Sequence, residues 1–313
     1  MLKRIRSFFS PLRIRIPFLL DVVLVSDPEH IKRIETSGDV DRLHRYDTRS
    51  LPRWLRLYFK ATRFYDVVRD LWFLALESAS DPTYEKRRAY LEARVSTGYT
   101  EQDVKRIAGL LNANVDDEVL GFEMVQVVNR RFVGEEIPLS ITKAAKHTLQ
   151  SFGEALLPGK YTRATISQQQ VTDYCARTLP RDVHALDIAH NIGEVVKTTA
   201  RALRMLRDNL DKSVEEIFTS HALTPEVPRI AVRPSRFDGL LLFPTRKART
   251  VVIYQIGRAA AKTKDLLFTF GTGRAERACV FKDFFLAFMQ DLQRTLRETQ
   301  PKGSRGMRPG HGD

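Results

Sequence analysis

Residues 268–289 read FTFGTGRAERACVFKDFFLAFM. A Gly-rich loop carries one cysteine, Cys279, directly into an apolar pattern. Phe281, Phe284, Phe285, Phe288, Met289 and Leu292 recur at the spacing of one helix face. The pattern predicts a helix after Cys279, with the thiol at its N-terminus. Unpaired backbone N–H groups and the positive end of the dipole favour a thiolate there. A thiolate is a strong, soft ligand for iron. The plainer reading of the same run is a small buried side chain under a C-terminal helix, the commoner fate of an intracellular cysteine.

Upstream, residues 227–256 hold Pro228, Pro234, Gly239 and Pro244 between β-type runs at 229–233, 239–243 and 250–254. They read as a small sheet within one domain. Before it, residues 186–210 form the longest periodic run, with Ile188, Ile192, Val195, Thr199, Ala202, Leu206 and Leu210 on one stripe. This predicts a helix through the centre of the molecule, followed by a shorter one over 213–221. Asp21–Ser26 reads as a buried strand, and Asp27-Pro28 as the cap and first residue of a helix over 29–37. Further helices are expected over 52–76, from Asp81-Pro82-Thr83 to about Val95, from Thr100 to about Asn112, and over 116–133, 138–157 and 165–178. Thr100 and Asp103 stand at the two positions of a capping box, and Pro158-Gly159 reads as a turn. The fold class is mainly α with a small β portion, compact, in a single domain over 1–298 followed by a flexible basic tail, 299–313.

The chain has 313 residues, 43% of them hydrophobic, enough to bury a substantial core. Its two cysteines, Cys175 and Cys279, make no disulfide framework and point to a reducing compartment. The net charge is +13, of which the two ends carry +7. Residues 1–16 hold five basic side chains and no acid. The body alternates charge sign, as solvated helix faces do, so a nucleic-acid partner is not expected. No stretch reaches the roughly 18 apolar residues of a membrane span. The basic, amphipathic start, broken by Pro11 and Pro17, reads as an extended lead-in to the first strand; residues 1–20 are the segment that would meet a membrane surface. The expected location is the cytoplasm.

The order of helix-rich body, central helix, short helix, small sheet, Gly-rich loop, Cys and last helix resembles the haem-thiolate monooxygenases, the cytochrome P-450 family. That resemblance covers most of the chain. In YEKRR, Tyr84 and Arg88 stand where the family has an aromatic residue or His and, four residues on, an Arg that holds a haem propionate. In VPRIAVRPSRFDG, Arg229 stands ten residues before Gly239, as does the family's Arg for the other propionate. A guanidinium fork suits a carboxylate because it pairs with both oxygens. In HNIGEVVKTTARAL, Glu194, Thr198 and Thr199 resemble the acid and alcohols that relay protons to iron-bound oxygen. Arg277, two residues before Cys279, matches the residue that braces the loop. The resemblance implies haem as cofactor, Cys279 as axial ligand, a small apolar substrate, and electrons from a ferredoxin- or reductase-like redox partner. An alternative is a haem-free relative acting as an auxiliary or interaction protein.

The sequence also departs from the family's pattern. Glu216 is followed by Thr219 where the family has Arg, so Glu216 is expected to be buried and to need another base, Arg229 or Arg233. Ala275 and Phe281 replace two glycines of the Cys loop, and Phe281 is expected to crowd the porphyrin plane. Residues 244–268 are too few for the family's long meander. Other site chemistries are weaker: His184, His190 and Glu194 or Asp187 would make an iron triad only by converging. No HExxH, GxxxxGK[ST] or CxxC occurs.

Overall fold

The computed structural model describes residues 11–16, 20–42, 65–66, 71–72, 83–148, 157–179, 185–221, 223–224, 226–247, 249–274 and 278–299. The chain is mainly helical with a small mixed sheet. Strand β1 (Leu12–Ile16) pairs antiparallel with β2 (Leu20–Val25), so the N-terminal lead-in is itself a strand. Helix α1 (Pro28–Thr36) starts as expected, with the Asp27 carboxylate accepting from the Glu29 and His30 N–H groups and Pro28 in its first turn. β3 (Val40–Arg42) follows. Two short antiparallel strands, β4 (Tyr65–Asp66) and β5 (Leu71–Trp72), stand where a helix over 52–76 was expected. Aromatic residues favour pleated pairing as readily as a helix face, so periodicity alone misjudged these positions.

Helices α2 (Tyr84–Val95), α3 (Glu101–Asn112) and α4 (Asp117–Val133) agree with expectation to within a residue or two. The Thr100 hydroxyl accepts from the Asp103 N–H at 3.1 Å, and the Asp103 carboxylate accepts from the Thr100 N–H at 3.0 Å, closing the capping box. α5 (Leu139–Thr148) leads to α6 (Pro158–Thr178). Pro158-Gly159 is no free-standing turn: Pro158 opens α6, where its missing N–H costs nothing. α7 (Ala185–Asp208) is the central helix, and α8 (Val214–Ser220) follows it.

The sheet order is β1-β2-β7-β6-β3, with β6 (Val227–Ala231) and β7 (Thr250–Tyr254). β2 and β7 run parallel, and the other neighbours antiparallel. The expected strand over 239–243 is a turn, because Phe237, Asp238 and Gly239 take consecutive left-handed conformations (φ 48°, 53° and 87°). α9 (Ile256–Thr263) and the short α10 (Leu266–Thr269) precede the Cys loop, and α11 (Lys282–Thr299) closes the described chain.

Two apolar clusters organise the interior. One surrounds α7, where Ile188, Ile192, Ala202 and Leu206 are fully buried, and takes in Phe288, Met289 and Leu292 of α11. The other lies under the sheet and joins Val23, Val25, Val252 and Tyr254 to Ile31 and Ile34 of α1. Asp21, at the start of β2, is fully buried, held by Arg13 at 2.5 Å and Arg246 at 3.2 Å. No described helix is long and apolar enough to cross a membrane.

Candidate functional site

The face of α7 toward residues 278–281 carries polar side chains one turn apart: Asp187, His190, Asn191 and Glu194. Together with Tyr84 and Arg88 of α2, Arg229 of β6 and Cys279, they line one cavity of about 270 Å³ between the two apolar clusters. Five residues singled out from sequence, Tyr84, Arg88, Glu194, Arg229 and Cys279, therefore meet at one place. A larger cleft, about 660 Å³, lies against Lys146, Arg163, Lys197 and Arg201 and carries no thiol.

Cys279 is the exposed one of two free cysteines. It lines the cavity, so its exposure includes the cavity interior. Its backbone is fixed on both sides: its N–H donates to the Phe270 carbonyl at 2.8 Å and its carbonyl accepts from the Lys282 N–H at 3.0 Å. Arg88 holds the preceding residue, donating from Nη1 to the Ala278 carbonyl at 3.0 Å while Nε pairs with Glu92 at 2.8 Å.

The expected low thiol pKa does not appear. Burial pushes the Cys279 thiol up, and the Glu194 carboxylate adds to this. The Phe281 N–H and the Arg88 guanidinium pull the other way without winning. Val280 and Phe281 stand between Cys279 and α11, so the thiol is not in the helix's first turn. Cys175 is fully buried, pushed up to about 12 by desolvation, and is packing.

The relay residues are less closely gathered. Glu194 lines the cavity, but the Thr198 hydroxyl donates to the Glu194 carbonyl at 2.7 Å and the Thr199 hydroxyl to the Val195 carbonyl at 2.5 Å. Neither threonine is among the cavity's lining residues. Asn191, buried and lining the cavity, leaves Oδ1 without a hydrogen-bond partner among the described residues. A buried acceptor of this kind is costly to leave bare and marks room for a donor in the cavity. Arg277 lies outside the described residues.

Two buried ion pairs frame the cavity, and neither was read from the sequence. Arg87 grips Asp187 with Nε at 3.0 Å and Nη2 at 2.5 Å, the two side chains 3% and 4% exposed. The available signal was Arg87's place on the apolar stripe of Tyr84, Leu91 and Val95, a charge on a face that must be buried. Arg229 grips Glu35 of α1, with Nε at 3.1 and 3.3 Å and Nη2 at 3.0 Å.

The expectation for Glu216 is corrected. Glu216 is exposed in the first turn of α8, its N–H taken by the Ser213 hydroxyl at 3.1 Å, and it needs no buried base. Thr219 is buried and turns its hydroxyl back to the Glu215 carbonyl at 2.8 Å. Phe281 lines the cavity with its ring edge-to-face on Phe132, centroids 6.1 Å apart.

No family model and no curated protein matches the sequence. Solved structures do match. A six-coordinated cytochrome P450 from Thermus thermophilus aligns over 94% of this chain and 88% of its own, at 15% identity and a TM-score of 0.64. A zebrafish cytochrome P450 solved with progesterone aligns over 94% and 90%, at 12% identity and 0.62. P450BioI, in complex with an acyl carrier protein ligated to hexadec-9Z-enoic acid, aligns over 94% and 88%, at 13% identity and 0.60. The chain has the cytochrome P450 fold.

Haem fits this version of the P450 fold at the iron end. A thiol faces a cavity and a guanidinium stands beside it, the soft ligand and the cation that a haem needs there. Among the described residues no three His, Cys, Asp or Glu side chains cluster to hold a bare metal ion; His184, needed for the iron triad with His190 and Glu194, lies outside the described residues. The fit is poorer on the β6 side of the cavity, where Arg229 already has a carboxylate.

Proposed function

We propose that this chain is a haem-thiolate oxidoreductase of the cytochrome P450 type. One observation carries the reading: Cys279, anchored through Phe270, Lys282 and Arg88, presents its sulfur to a cavity shared with Glu194 and Tyr84. Cys279 is the residue to give iron its axial thiolate. Arg88 and Tyr84 stand where one haem carboxylate would be held, and Arg277 is assigned to brace the loop. When bound, haem supplies oxidation by dioxygen with external electrons.

The chain's own residues do the rest. Arg88 fixes the loop carbonyl and places positive charge beside the sulfur. Glu194, facing the cavity, is placed to hold a proton for delivery. Thr198 and Thr199, whose hydroxyls donate along α7, keep a positioning role on the same helix. Leu91, Phe270 and Val280 give the cavity apolar walls and support a small apolar substrate. A protein partner that supplies electrons completes the reading. The protein complex formed by P450BioI supports a docking partner in general terms. Two free cysteines support a reducing compartment, the cytoplasm. Leu12 and Ile14, each 47% exposed, support contact of residues 1–20 with a membrane surface.

A second reading, a haem-free auxiliary or interaction protein, is favoured by the Glu35–Arg229 pair alone. Absorbance titration of the purified chain with ferric haem separates the two. The enzyme reading predicts saturation at one equivalent with a Soret shift that Cys279→Ser abolishes. A folded chain that leaves the haem spectrum unchanged supports the auxiliary reading.

A further inference from the structure

Arg229 sits mid-strand in β6, opposite Val252 of β7 and Arg42 of β3. Its side chain is 9% exposed and that of Glu35 is 6% exposed. Nε and Nη2 of the guanidinium fork face the two Glu35 oxygens, in three contacts of 3.0–3.3 Å. Thr272, from the cavity wall, donates its hydroxyl to Glu35 Oε1 at 3.3 Å. The Tyr254 ring lies 5.7 Å from the guanidinium, and burial with the Glu35 carboxylate pushes its phenol up. Glu35 is thus built in from three elements: α1, β6 and the loop after α10.

We infer that Glu35 takes the place of a haem carboxylate, so that Arg229 positions α1 against β6 and does not grip the cofactor. The inference rests on the haem reading above. The physical reason is an exchange that gains nothing. A propionate arriving at Arg229 offers the bidentate bond that Glu35 already makes. To arrive, it must take the guanidinium fork from a carboxylate that is itself buried, which is an expensive exchange. The carboxylate grip therefore falls to the Arg88 side of the cavity, where the paired Glu92 is 48% exposed and can be released to water, and the residue that weakens the β6 side is an acid on a helix far from the Cys loop in sequence.

The test is haem affinity by Soret titration, with circular dichroism melting on the same samples, for the intact chain and for Glu35→Gln, Arg229→Gln and the double variant. The inference predicts that R229Q lowers the melting temperature yet leaves haem affinity within about threefold of the parent. It predicts that E35Q, which releases Arg229, tightens haem binding about tenfold, the scale of one added charge-assisted bond, and that the double variant loses this gain. If E35Q does not fold, Arg229→Lys decides: it keeps the ion pair but not the fork, and haem affinity must stay unchanged. An R229Q or R229K protein that folds but binds haem more than about tenfold more weakly overturns the inference while leaving the haem reading intact. Absence of any Cys279-dependent Soret shift in all of these proteins ends the haem reading itself, and the inference with it.

Discussion

Burial and three neighbouring groups act on the Cys279 thiol, and their balance is the chemistry of the site at the scale of one residue. Burial and the Glu194 carboxylate disfavour the thiolate; the Phe281 N–H and Arg88 favour it. The net direction is upward, so without iron the sulfur is protonated at neutral pH. Alkylation needs the thiolate. Iodoacetamide labelling followed by mass spectrometry should therefore rise with a midpoint above the roughly 8.5 of an ordinary cysteine. Glu194→Gln removes a negative neighbour and should move the midpoint down; Arg88→Gln removes a positive one and should move it up. Cys175, fully buried and pushed up to about 12, should stay unlabelled until the chain unfolds. A midpoint below that of a free cysteine in the parent would contradict this account of the thiol. The sequence places Cys279 correctly but misjudges its charge, because two residues of loop and the depth of the cavity are tertiary facts.

At the scale of elements, two of the contacts that hold α7 can be tested separately. The Arg87–Asp187 pair ties it to α2 beside the cavity. Arg87→Leu strands a buried carboxylate and should cost about 3–5 kcal/mol in urea unfolding; Arg87→Leu with Asp187→Leu should recover much of the loss. A single variant as stable as the parent would mean that the pair is solvated. The second contact is the crossing with α4, where Gly121 lets the Val196 carbonyl approach: a Cβ at Gly121 would stand 2.9 Å from that oxygen. Gly121→Ala should destabilise the chain by about 1–3 kcal/mol despite its better helix propensity. Unchanged or raised stability would show the crossing to be slack. Helices announced by caps and long stripes were legible: Asp27-Pro28, the Thr100–Asp103 box and the Ile188–Leu206 stripe all stand where the residues place them. The 239–243 run was not, because three consecutive left-handed residues are set by the packing of Phe237, which is fully buried, and not by local propensity.

At the scale of the molecule, two apolar clusters meet at a cavity, and the side chains that define it come from α2, α7, β6 and the Cys loop, spread over almost 200 residues of sequence. The order of elements and the residues at Tyr84, Arg88, Glu194 and Cys279 made the P450 fold legible despite 12–15% identity to solved structures. The partners of Arg229 and Arg87 were not legible. Each pairs with an acid 194 or 100 positions away, and nothing local marks Glu35 or Asp187 as the partner. At Thr219 the hydroxyl turns onto its own helix, and the Phe281 ring, set against Phe132, still lines the cavity. The most direct measurement is the spectrum of the haem-loaded chain, reduced and exposed to carbon monoxide. A thiolate-type Soret band that disappears in Cys279→Ser is the result expected; a band of the imidazole type, or one indifferent to that substitution, would contradict the assignment of Cys279 to iron.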